Sequence, residues 1–66
     1  MTKPEYVAKL REASLDFLLA TARMDAARNS GANAIDISTV LQAQVFASRY
    51  LHEMLKIDYA SLEDAP

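Results

Sequence analysis

Sixty-six residues with seven basic side chains, nine acidic ones, one histidine and no cysteine leave room for a single domain. No disulfide staple or thiolate zinc site is possible, and one histidine cannot form a metal cluster by itself. A core this small supplies about 3–5 kcal/mol, so another protein surface is the staple left to such a chain.

The opening stretch, MTKPEYVAKL, lacks the basic-then-apolar order of a secretory signal. The longest apolar run, FLLA, is far too short to cross a bilayer. With no cysteine to oxidise, the expected location is cytoplasmic. Charge is uneven: residues 34–66 carry two basic and five acidic side chains, and the first half is nearly balanced.

Residues 3–29 are predicted to form one helix. Thr2 and Glu5 have capping-box spacing, and Pro4 falls in the first turn, where its missing N–H costs nothing. Good helix formers follow, with Glu5 and Lys9 in the favourable i,i+4 order. Gly31, the only glycine, suits the left-handed position just past a helix end. Residues 30–36 then form a loop. Asp36 is the expected N-cap of a second helix over 37–57, because Ile35 and Val40 would occupy the hydrophobic-staple positions. Residues 58–66 are expected to be an acidic, flexible tail.

So short a connection favours antiparallel neighbours, giving an all-α antiparallel helical hairpin over residues 1–57. Helical spacing draws a seam through Val7, Leu10, Ser14, Phe17, Thr21 and Met24, widened by Tyr6, Ala13, Leu18 and Ala20. Its counterpart runs through Ile37, Val40, Gln44, Ala47, Leu51 and Met54. Pairing residue i with 64 − i sets Phe17 on Ala47, Thr21 near Gln44 and Leu10 on Met54, so large side chains meet small ones. Leu15, Leu19, Ala22 and Ala26 lie beside this seam, and Val45, Phe46 and Ile57 lie outside the second one. The apolar surplus predicts that two hairpins dimerise into a four-helix bundle.

The interface residues expected from this pattern are Leu15, Leu19, Phe46, Tyr50, Gln44 and Tyr59. Gln44 with Thr21 could fix register as a polar pair on an apolar seam, or simply sit at its wet edge. Tyr59, beside Ile57 and Leu62, is the tyrosine best placed to touch a partner, whereas Tyr6 and Tyr50 also suit a core edge. Arg11, Asp25 and Arg28 could pair across an interface or form a solvated rim. The His52–Glu53 pair lacks the second histidine of a metalloprotease helix, since Lys56 stands at i+4.

No phosphate loop, nucleophile elbow or catalytic triad spacing is present, so no enzyme, cofactor or metal is expected. The leading functional expectation is a small protein–protein interaction module: an adaptor, inhibitor, assembly factor or chaperone. The alternatives are a nucleic-acid-binding hairpin dimer, which needs a basic stripe that Lys3, Lys9, Arg11, Arg23 and Arg28 supply only diffusely, and a peripheral membrane helix. The second alternative suffers from the mixed charge of the first helix.

Overall fold

The computed structural model describes residues 1–65; Pro66, at the end of the tail, lies outside them. Two helices, α1 (Lys3–Asn29) and α2 (Ala34–Leu55), run antiparallel, followed by one 3-10 turn at Tyr59–Ser61. The chain is a rod, with Cα extents of 50 × 14 × 12 Å. No helix among the described residues is long and apolar enough to cross a membrane.

Thr2 caps α1: its hydroxyl oxygen accepts the Glu5 backbone N–H at 3.3 Å. The Glu5 carboxylate accepts the Thr2 hydroxyl at 3.1 Å instead of reaching back to the Thr2 backbone, so the capping box is half formed. At the other end, Gly31 has φ of 72°. The Gly31 N–H donates to the Arg28 carbonyl and the Ala32 N–H to the Ala27 carbonyl, which is the paired closure of a Schellman motif. This single left-handed residue lets the chain reverse in four residues, Ser30 to Asn33.

The second helix begins three residues earlier than its sequence suggested. Asn33, not Asp36, is the N-cap, and its side-chain oxygen accepts the Asp36 N–H at 2.9 Å. Both residues carry the required acceptor; Asn33 takes the role because Ala32 and Ile37, each half-buried, then occupy the staple positions. Asp36 stays in the first turn, where its charge still faces the positive end of the helix. At its far end α2 stops at Leu55, with Lys56 as C-cap.

The seam is rotated slightly from the expected one. Tyr6, Ala13, Ala20, Met24 and Met54 are the buried apolar residues, while Val7 is exposed. Ala13 has no exposed surface at all, and a methyl group there lets the two backbones approach. Leu10, Leu51, Ile57 and Leu62 pack against the cluster formed by Tyr6, Ala13 and Met54. The Tyr6 hydroxyl donates to the Met54 carbonyl at 2.8 Å, so this last-turn carbonyl of α2 accepts both the hydroxyl and the Ile57 N–H.

The tail does not trail away as expected. Asp58 caps the 3-10 turn by accepting the Ala60 N–H, and Leu62 folds onto the core. The Lys3 N–H, one of the unpaired donors at the start of α1, then donates to the Glu63 carbonyl at 2.7 Å. Lys3 Nζ lies 2.9 Å from Asp64 and 5.6 Å from the Tyr59 ring centre. The physical reason is the open end of the hairpin. Without Ile57 and Leu62, the Tyr6–Met54 contact would face water, and the first turn of α1 would keep an unanswered donor.

Replacing Gly31 by Ala should cost about 1 kcal/mol, and Asn there less, because the strain is one of backbone handedness. No atom within 4 Å would obstruct the added Cβ. Tyr6→Phe should cost about 1 kcal/mol by removing the hydroxyl's bond to the Met54 carbonyl, which keeps only the longer bond from the Ile57 N–H. Urea unfolding midpoints at one fixed protein concentration test both.

Candidate interaction face

Two eight-residue segments, DFLLATAR (16–23) and AQVFASRY (43–50), share one spacing. Positions i, i+3, i+4 and i+7 of an α-helix lie on one stripe. The structure sets these two stripes side by side. Asp16, Leu19, Ala20 and Arg23 of α1, and Ala43, Phe46, Ala47 and Tyr50 of α2, line one groove. The three alanines are small residues interleaved with larger apolar ones, and Asp16 and Arg23 mark opposite ends of the α1 stripe. The groove encloses about 390 Å³ and is open along its length, unlike the closed clefts that bury small ligands.

Three of the predicted interface residues meet here. Phe46 is 66% exposed, Leu19 54% and Tyr50 50%. Leu15, also exposed, belongs to the same helix. At 100° per residue it points almost directly away from α2. Gln44 points inward, and its amide donates to the Thr21 hydroxyl at 3.1 Å with both residues half-buried. That contact falls within one residue of the assumed 64 − i pairing. Gln44 also borders a more open cleft with Phe17, Val45, Ser48 and Arg49, on the side of the rod away from Phe46. Tyr59 is apart from all of these, at the open end, with its ring 5.9 Å from that of Tyr6.

The sequence pattern alone places Ala20 and Ala47 in the seam and marks neither Asp16 nor Ala43 as part of a site. The signal that could have found the groove is the repeated spacing itself. Arg11, Asp25 and Arg28 are exposed and His52 likewise. Ion pairs among the described residues are Lys3–Asp64 and Lys56–Glu53, so Asp16 and Arg23 carry their charges unpaired into the groove. No group of three or more potential metal ligands occurs among the described residues.

Surface area measures the surplus. A compact chain of 7.3 kDa exposes about 4,200 Å², whereas this rod exposes 4925 Å². Its Cα radius of gyration is 15.3 Å, against about 11 Å for a compact domain of this length. The excess follows from the rod shape, and Leu19, Phe46 and Tyr50 are among the large apolar residues left exposed by it. No family model, curated protein or solved structure matches the chain.

The Thr21–Gln44 bond yields its own expectation. Thr21→Val alone should destabilise by about 1 kcal/mol by stranding the half-buried amide, while Thr21→Val with Gln44→Leu should be neutral or stabilising. A double-mutant cycle on unfolding free energies measures the coupling.

Proposed function

We propose that this protein is a non-catalytic interaction module, of the adaptor, inhibitor, assembly-factor or chaperone kind, whose working form is a dimer. Two hairpins close the Leu19–Phe46–Tyr50 groove against each other and complete a four-helix bundle. The single observation that carries this reading is the groove itself: three large apolar side chains, each at least half exposed, stand around an alanine-lined trough.

The exposed area is enough for a partner to cover. The surplus over a compact chain is roughly 700 Å², close to the ~800 Å² that each partner contributes to a standard interface. A core with five buried residues, two of them alanine, also gains most from a partner that doubles it. Charge argues against the nucleic-acid alternative. At 100° per residue, Lys9 and Arg23 share one side of α1 with Glu5, Glu12 and Asp16, while Arg11 and Arg28 point to two other sides, so no basic stripe forms.

Leu19→Glu with Phe46→Glu tests the reading. Because both side chains are more than half exposed in the single hairpin, the helices should survive the change. The parent melting temperature should rise with protein concentration, and that of the variant should be lower and independent of it. A parent whose melting temperature ignores concentration, or a variant that still behaves as the parent does, would overturn the proposal.

A further inference from the structure

We infer that the second copy docks antiparallel, about a two-fold axis lying across the groove, so that α1 faces α1 and α2 faces α2. This rests on the dimeric reading above and adds its register. In α1 the stripe is centred between Leu19 and Ala20, and in α2 between Phe46 and Ala47. Reversing direction about those centres sets Leu19 on Ala20 of the partner subunit and Phe46 on the partner's Ala47. Tyr50 then meets the partner's Ala43. Every large side chain falls on an alanine, as close packing requires.

The same reversal sets Asp16 beside Arg23 of the partner subunit, and Arg23 beside the partner's Asp16. Neither charge has an ion-pair partner within the described chain. The face is therefore complementary to itself in both size and charge, which a two-fold contact demands.

A parallel arrangement, with the axis along the groove, fits worse. It lays α1 on α2, sets Leu19 at the level of Phe46 of the partner subunit, and so brings large against large. Asp16 would fall at the Tyr50 end and Arg23 at the Ala43 end, leaving both charges without an opposite.

Charge exchange between full-length chains decides the register. Asp16→Arg puts two like charges at each end of the interface, and so does Arg23→Asp. Each variant alone should dimerise about tenfold more weakly than the parent, since two rim pairs turn from attractive to repulsive. Mixed in equal amounts, the two should form a heterodimer, counted by native mass spectrometry. The chain carrying both exchanges should self-associate as the parent does, which separates lost pairing from lost folding. Single variants that dimerise like the parent, a mixture without heterodimer, or a double exchange that stays weak would each overturn the antiparallel register. If Leu19→Glu with Phe46→Glu abolishes the dimer while the charge exchanges do not affect it, the groove reading stands and only the register falls. If neither set affects association, both fall.

Discussion

Two helices lying side by side can each shield only one stripe, and that limit governs this molecule. The apolar residues of α1 are spread so widely around its axis that the helix has almost no net amphipathic direction. A single neighbour covers Tyr6, Ala13, Ala20 and Met24 and leaves Leu15, Leu18 and Leu19 in water. Large apolar residues exposed beyond the stripe that a neighbour covers mark a surface that a further partner can bury.

The rest of the fold makes the best of a thin seam. Alanine at positions 13 and 20 draws the helices together, and the 3-10 turn and tail close the end where Tyr6 and Met54 lie. Backbone groups at the helix ends are answered as far as so small a chain allows. Thr2 and Asn33 cap the N-termini, Gly31 closes the end of α1, Tyr6 takes a carbonyl of α2, and Glu63 takes a donor of α1. This economy secures one hairpin but does nothing for its side walls. Those walls are where Phe46 and Tyr50 stand.

How legible each part was follows from how local its physics is. The bounds of α1 were readable because Thr2, Pro4 and Gly31 act on the backbone within a turn of themselves. The start of α2 was harder, since Asn33 and Asp36 offer the same acceptor and the choice depends on which apolar residues flank each cap. The Thr21–Gln44 pairing was legible because helical spacing and one reversal determine it. The packing of residues 58–65 was not, because Leu62 and Glu63 gain their partners only across the whole length of the chain. Leu19, Phe46 and Tyr50 stood out as surplus apolar residues. Asp16 and Arg23 were hidden, since a charge at the end of an apolar stripe looks in one dimension like any solvated charge.

Everything said of function depends on whether the exposed groove is covered in solution. Sedimentation equilibrium of the unmodified chain over a wide concentration range addresses that directly. The mass should be twice the 7.3 kDa of one chain and fall toward the single-chain value on dilution. A particle of single-chain mass at every concentration, still helical and unfolding cooperatively, would contradict it.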